Sequence, residues 1–254
     1  MTTALIDGDI LLYRAGFATQ KTLINELGEK YIVAEPVSHS CSILDHMIRS
    51  ILITTEAYEY RLYIGSGVTF RHEIAKTLPY KGNRTAPKPV NFVEMKDYLV
   101  SSWGALEIRG IESDDQIGID SNTLAGECVI CSIDKDLLML PGTHYNFVTG
   151  CFKEVVDPGF LELQVKPLKL TGGGIKWFWA QMLLGDRVDN IPGLTGYGPR
   201  KTYEVLNKSK NLQKTVNELY FKQGKEKCLD EIGNLLWIQR KENDKFTDWV
   251  GDKL

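Results

Sequence analysis

The stretch TALIDGDILLYRAGF, Thr3–Phe17, decides the fold. Thr3 to Ile6 is a short apolar run that stops at Asp7, which reads as a buried strand. Ile10 to Phe17 reads as a helix, so a strand gives way to a helix within a few residues. The pattern then repeats along the chain. Leu44, Ile48, Ile51 and Leu52 stand at helical spacing, and Arg61–Ile64 reads as a second strand. Residues 65–90 are rich in glycine, proline and basic side chains and read as a loop. Phe92–Trp103 is an amphipathic helix, Leu106–Ile108 a strand and Ser113–Leu124 a helix. Cys128–Ile133 is a strand that stops at Asp134, and Tyr145–Val148 is another. Strands alternating with helices predict an α/β domain with a central, mostly parallel sheet. In such sheets, sites form at the carboxyl ends of the strands. Residues 158–174 read as a connection with a GGG break. From Ile175 the text is helical: IKWFWAQMLL, a glycine-rich turn, then Leu212–Phe221 and Glu226–Arg240. The expected division is therefore an α/β part at 1–172 and a helical part at 173–254, with Trp237 and Trp249 as packing residues.

The bulk numbers exclude several classes. The chain has 254 residues, 43% hydrophobic and 25% charged, as in ordinary globular proteins. A formal net charge of −3 argues against coating nucleic acid by bulk charge, though not against local basic patches. No apolar run is long enough to span a membrane, and the N-terminal stretch has no signal-peptide pattern. The five cysteines include a CxxC at Cys128 and Cys131, but VICSI reads as a strand. Reduced thiols and a reducing cytoplasm follow.

Acids concentrate at four places: IDGD (Asp7, Asp9), ESDD (Glu112, Asp114, Asp115), IDKD (Asp134, Asp136) and GDRVD (Asp186, Asp189). Each alone could be a cap or an Asx turn. Jointly they say more, because three of them follow predicted strands and converge at one sheet edge. Such a group repels itself unless cations sit within it. An all-oxygen donor set suits Mg²⁺ or Mn²⁺, and two such ions about 4 Å apart serve phosphodiester hydrolysis. The four histidines lie away from these acids. Between Ile74 and Val93 stand Lys76, Lys81, Arg84 and Lys88 and no acid. A solvated loop is one reading of that segment. The other is that Lys81 and Arg84 grip a phosphate, Tyr80 stacks on a base and Arg71 adds a phosphate contact. In GDRVDNIPGLTGYGPRKTYEVL, residues 185–206, Asp186 and Asp189 sit three apart and share a helical face. Gly193, Gly196 and Gly198 permit close backbone approach to a phosphate. Pro199 suits a first helical position, with Arg200 and Lys201 beside the helix N-terminus.

These segments resemble the flap endonuclease and 5′–3′ exonuclease family, including the 5′-nuclease domain of bacterial DNA polymerase I. LIDGDILLYRA, TFRHEIAKTLPYKGNR, IESDDQIG, ICSIDKDLLML and GDRVDNIPGLTGYGPRKTYEVL match in the family's order. The resemblance implies a PIN-like nuclease domain followed by a helical module with a helix–three-turn–helix at about 182–206. It implies that Asp7, Glu112, Asp114, Asp115, Asp134, Asp136, Asp186 and Asp189 ligate or support two divalent metals. It gives Lys81 and Arg84 a catalytic role and Tyr80 a stacking one. It adds a potassium ion on the backbone of Gly193, Thr195, Gly196 and Gly198. The implied partner is DNA with a free 5′ end, a flap or a branch; an RNA:DNA hybrid and a replication polymerase are further partners, and the implied state is a monomer in a bacterial or phage-infected cytoplasm. Ser66 departs from the family, which usually has an aspartate there. The departure implies a higher Mg²⁺ requirement or a preference for Mn²⁺. It also keeps open a protein that grips branched DNA and cuts poorly. An RNA-directed PIN nuclease fits less well, because PIN domains generally lack the glycine-rich module. The short span after Arg84 implies a small arch, suited to trimming 5′ ends more than threading long flaps.

Overall fold

The structure, a computed structural model, describes residues 2–250 and, of their side chains, those up to Asp248. The packing role expected of Trp249 lies outside the described side chains. The chain begins with β1 (Thr3–Asp7), α1 (Gly8–Ala18), a hairpin of β2 (Gln20–Ile24) and β3 (Lys30–Ala34), and α2 (Val37–Thr55). Then come β4 (Glu59–Thr69), α3 (Phe70–Ile74), α4 (Phe92–Trp103), β5 (Leu106–Gly110) and α5 (Ser113–Thr123). β6 (Cys128–Cys131), β7 (Gly142–Asn146) and β8 (Cys151–Val155) complete the main sheet. A second hairpin, β9 (Phe160–Val165) and β10 (Leu168–Gly173), leads into α6 (Gly174–Leu184), α7 (Pro199–Lys208), α8 (Leu212–Lys222) and α9 (Leu229–Leu236).

The main sheet has six strands in the order β5-β4-β1-β6-β7-β8. All neighbours are parallel except the β7–β8 pair. β1 is central and buried along its whole length, which is why its sequence is an unbroken apolar run. Successive side chains point to opposite faces. Ala4 and Ile6 pack with Leu11, Leu44, Ile48 and Leu99 of α1, α2 and α4. Leu5 packs on the other face with Ile117 of α5 and Phe178 of α6. That second core also takes in Leu206, Val216, Tyr220, Ile232 and Trp237. The expected boundary at 172/173 falls at the last residue of β10, just before α6, inside this shared core. The chain builds outward from β1 to β5 and then returns to place β6 beside β1. The reversal opens a crevice at the carboxyl ends of β1 and β6. Asp7 caps α1 there by accepting from Ile10 N at 3.3 Å. Gly8 is needed at the same point, since a Cβ would lie 2.6 Å from the Tyr63 carbonyl oxygen of β4.

Four elements differ from the sequence expectation. β4 runs on to Thr69 and α3 follows, where a loop was expected from Gly65; Thr69 starts the helix through a capping box with His72. Residues 160–173 pair as a hairpin instead of forming a plain connection. The β2–β3 hairpin leaves almost every residue exposed or half-buried, so no core periodicity announces it. α9 ends at Leu236, short of the expected Arg240, because residues 237–239 are drawn out as backbone partners of a buried ion pair.

That pair corrects two site expectations. Arg71 is 2% exposed and Asp115 is wholly buried. The guanidinium meets the carboxylate through two bonds of 2.5 and 2.8 Å. Arg71 also donates to the carbonyls of Leu235 at 3.0 Å and Trp237 at 2.6 Å. Asp115 accepts further from Glu112 N and Gln239 N, both at 3.0 Å. Arg71 therefore reaches no DNA and Asp115 has no oxygen left for a metal. Together they tie α3, the start of α5 and the end of α9 into one frame. Breaking a buried pair strands a charge and costs about 3–5 kcal/mol. Asp115→Asn is expected to lose that much stability in chemical denaturation; a loss under about 1 kcal/mol would show that the lock is dispensable.

Candidate active site

The strand ends set out the acids in three groups. The first lies at the crevice. Asp7 is 3% exposed and accepts from Ser132 Oγ at 2.7 Å. Asp114, in the first turn of α5, faces Asp7 and Asp134, and burial first and those two charges next hold its carboxyl well above the usual range. Asp134 accepts from Asp136 N at 2.8 Å, which folds the IDKD turn back over the end of β6. Burial, followed by the Asp9 charge, pushes Asp7 up to about 7.

The second group joins that turn to the helical part. Asp136 Oδ1 accepts from Lys135 Nζ at 2.8 Å and Gln181 Nε2 at 2.6 Å. Lys135 Nζ also lies 3.6 Å from Asp186 Oδ2. Burial, followed by the Asp134 charge, pushes Asp136 up to about 7. Asp186 is 8% exposed and closes its own turn by accepting from Val188 N at 2.7 Å.

The third group meets the basic loop. Glu112 accepts from Lys81 Nζ at 2.5 Å, and Lys81 Nζ lies 3.8 Å from Asp189. Arg84 bridges to the other Asp189 oxygen. The backbone supports this docking: Lys81 N donates to Asp189 O at 2.9 Å, and Asn83 Nδ2 to Arg187 O at 2.6 Å. The loop is thus held against residues 187–190 and is not a free solvated segment. Tyr80 corrects another expectation. It is 5% exposed and packs edge-on against His72, so it offers no face to a base. Burial and then the Glu112 charge hold its phenol protonated. Its hydroxyl donates to Asp189 at 2.8 Å and lies 3.1 Å from both Glu112 oxygens.

Two cavities of about 430 and 440 Å³ open from these groups. Glu112, Asp114, Asp134, Lys81 and Arg84 line both. Asp136, Asp186 and Asp189 line only the first, and Asp7 and Asp9 only the second. Seven of the eight expected metal residues therefore share one continuous wall, and Asp115 does not. Asp9, the second acid of IDGD, joins Asp7 in the second cavity. Asp9 Oδ2 accepts from Gly65 N and Ser113 Oγ, both at 2.9 Å, which puts a carboxylate beside Gly65 of β4. Ser66 itself lies 3.3 Å from Lys96 Nζ through its hydroxyl.

The donors fit hard divalent cations in chemistry and charge: all are carboxylate oxygens, several with their ionised form disfavoured by burial. The ammonium groups of Lys81 and Lys135 stand between carboxylate pairs, where cations are wanted. Among the described residues, no three acidic, histidine or cysteine side chains enclose an ion as they stand. Hydroxyls, amides and lysines hold the carboxylates apart.

The turn after α6 behaves differently from expectation. Gly185 and Gly193 pack backbone against backbone: a Cβ on Gly193 would lie 2.4 Å from the Leu184 carbonyl carbon. The carbonyl of Gly193 accepts from Lys225 Nζ at 3.4 Å, and that of Thr195 from Gln223 Nε2 at 3.0 Å. A potassium ion on Gly193, Thr195, Gly196 and Gly198 would have to displace both donors. Gly196, Gly198, Arg200 and Lys201 are exposed, and Pro199 opens α7 as expected.

Comparison with known proteins gives this geometry a context. Residues 2–162 match the family model for the 5′-3′ exonuclease N-terminal resolvase-like domain. The chain is 27% identical over 231 residues to the 5′-3′ exonuclease of Bacillus subtilis, covering 85% of this chain and 73% of that one. It is 28% identical over 222 residues to DNA polymerase I of Rhizobium leguminosarum, 80% of this chain but 20% of that one. Its fold is similar to a bacteriophage T5 flap endonuclease solved as a pseudo-enzyme–product complex with DNA and metal ions. There the TM-score is 0.59 and the identity 16%, over 99% of this chain and 97% of that one. It is also similar to T5 5′-exonuclease bound to zinc, with a TM-score of 0.59 at 19% identity, over 93% and 94% of the two chains. The central, mostly parallel sheet with flanking helices is thus a PIN-like nuclease fold. No helix among the described residues is long and apolar enough to cross a membrane.

The raised acids give a pH signature. Free of metal, the folded chain holds protons on Asp7 and Asp136 that the unfolded chain releases near pH 4, so their contribution to stability falls as pH rises from about 4 to about 7. A divalent ion must displace those protons. The rise in Tm caused by Mn²⁺ is therefore expected to be larger at pH 8 than at pH 5.5. An equal rise at both would show that these acids do not hold the ion.

Proposed function

The chain belongs to the 5′-3′ exonuclease family, and on that premise we propose that it is a divalent-metal-dependent 5′–3′ exodeoxyribonuclease with flap endonuclease activity. One observation carries the reading: acids from the ends of two parallel strands, the start of α5 and the turn after α6 line one wall, opposite Lys81 and Arg84. Asp7, Glu112, Asp114 and Asp134 would hold one Mg²⁺ or Mn²⁺ ion, and Asp136, Asp186 and Asp189 the other. When bound, the pair supplies an activated water and neutralises the leaving oxygen. Lys81 and Arg84 exchange their carboxylate partners for phosphate oxygens and stabilise the charge that develops there. Tyr80 acts as a protonated clamp that orients Glu112 and Asp189. Arg200 and Lys201, exposed at the start of α7, grip duplex phosphates without reading sequence. On this reading α6, the glycine turn and α7 act as the helix–three-turn–helix.

The preferred substrate is DNA with a free 5′ end or a short 5′ flap, because only residues 85–91 span from Arg84 to α4. The likeness to a segment of DNA polymerase I supports a substrate that arises during replication or repair synthesis. The reading of a DNA-gripping protein that cuts poorly differs in one measurable way. Given Mn²⁺ and a 5′-labelled duplex, the wild type is expected to release label. Asp114→Asn binds the duplex but releases none, and Lys81→Ala slows release by about 10²–10³-fold. Equal release by wild type and Asp114→Asn would refute the nuclease reading. The double variant Arg200→Ala/Lys201→Ala is expected to weaken duplex binding and flatten its logarithmic salt slope by about 2, one per lost phosphate contact. An unchanged slope would place the DNA elsewhere.

A further inference from the structure

Helix α6 is almost wholly apolar where it is buried. Trp177, Phe178, Trp179, Ala180, Met182 and Leu183 all enter the core. Gln181 sits among them and is 3% exposed. It lines the cavity that holds Asp134, Asp136 and Asp186. Its Nε2 donates to Asp136 Oδ1 at 2.6 Å, which also sets the amide's orientation, since the reverse would face two acceptors at that distance. Its Oε1 is buried and accepts no hydrogen bond. A buried acceptor left unmatched is unfavourable, and a methionine of similar volume would fill the position without it.

A neutral oxygen on the amide that holds Asp136, in a side chain lining the same cavity as Asp134 and Asp186, suits a donor that arrives with a cation. Hydrated Mg²⁺ and Mn²⁺ bring such donors, because Mg²⁺ in particular keeps several of its waters when bound. We propose that Gln181 is a positioning residue for the divalent cation held by Asp136 and Asp186. Its Nε2 fixes the Asp136 carboxylate, and its Oε1 accepts from the cation's bound water. Gln181 lies on the helix that ends just before Asp186, so one element delivers both a ligand and the group that orients another. The inference rests on the two-cation reading above.

The test uses full-length protein without DNA, stripped of metal, and reads Mn²⁺ binding by calorimetry or electron paramagnetic resonance. Outer partners of metal sites typically contribute 10–100-fold in affinity. Gln181→Met is expected to weaken one Mn²⁺ site by about that factor while the other site holds. Gln181→Glu keeps an acceptor oxygen and adds a negative charge that offsets the lost amide donor, so it is expected to bind Mn²⁺ at least as tightly as wild type. Unfolding in chelator separates positioning from packing: positioning leaves the metal-free Tm of Gln181→Met close to wild type. Three results overturn the inference while leaving the cation reading intact: unchanged Mn²⁺ binding by Gln181→Met, the same weakening in Gln181→Glu, or an affinity loss matched by a collapse of the metal-free Tm. A wild type that binds no Mn²⁺ removes the cation reading and this inference with it.

Discussion

Like charges crowded at one edge of a sheet repel, and the rest of this structure is arranged around that repulsion. Asp7 ends β1, Asp134 follows three residues after the adjacent parallel β6, and Asp114 faces both from a helix start. Burial makes the charged forms of Asp7 and Asp114 still less favourable, so these two call for protons or for cations lying among them. Two lysines of the chain stand between carboxylates where cations are called for. Lys135 stands between Asp136 and Asp186, and Lys81 between Glu112 and Asp189. These lysines are weak substitutes for a divalent ion, which carries twice the charge and accepts several oxygens at once.

The frame that holds the acids in place is itself an ion pair, used in the opposite way. Arg71 and Asp115 are matched bond for bond and sealed from water by the carbonyls and amides of residues 235–239. Asp114 and Asp115 are adjacent in the first turn of α5, yet the helix turns one toward the cavity and the other into the frame. A similar division separates Lys81 and Arg84, which line both cavities, from Arg71, which borders the first cavity but spends its guanidinium on Asp115 and two backbone carbonyls. A saturated pair fixes geometry, while a cluster rich in one sign of charge binds and reacts.

Much of this was legible in the sequence. β1, α4 and the start of α7 lie where apolar runs, helical spacing and a proline at the first helical position put them. The acids at strand ends were legible because a buried strand must stop where a charge appears. What the sequence hid depends on distant contacts. Arg71 looks like any base near a glycine-rich loop until residues 235–239, more than 160 positions later, wrap around it. Tyr80 looks available for stacking until Glu112 and Asp189 claim its hydroxyl. Gln181 was invisible because its helix reads as apolar text, and only the burial of its amide beside Asp136 marks it. Asp9 shows no local sign of a role, since nothing near it in the sequence reveals that Gly65 of β4 lies beside it.

The central claim is that the carboxylate wall is a two-cation site. The most direct measurement is anomalous X-ray scattering from crystals grown with Mn²⁺. The account predicts one peak among Asp7, Asp114 and Asp134 and a second between Asp136 and Asp186, with Lys135 displaced from its present partners. Peaks confined to surface acids, or a wall unchanged with both lysines still in place, would contradict it.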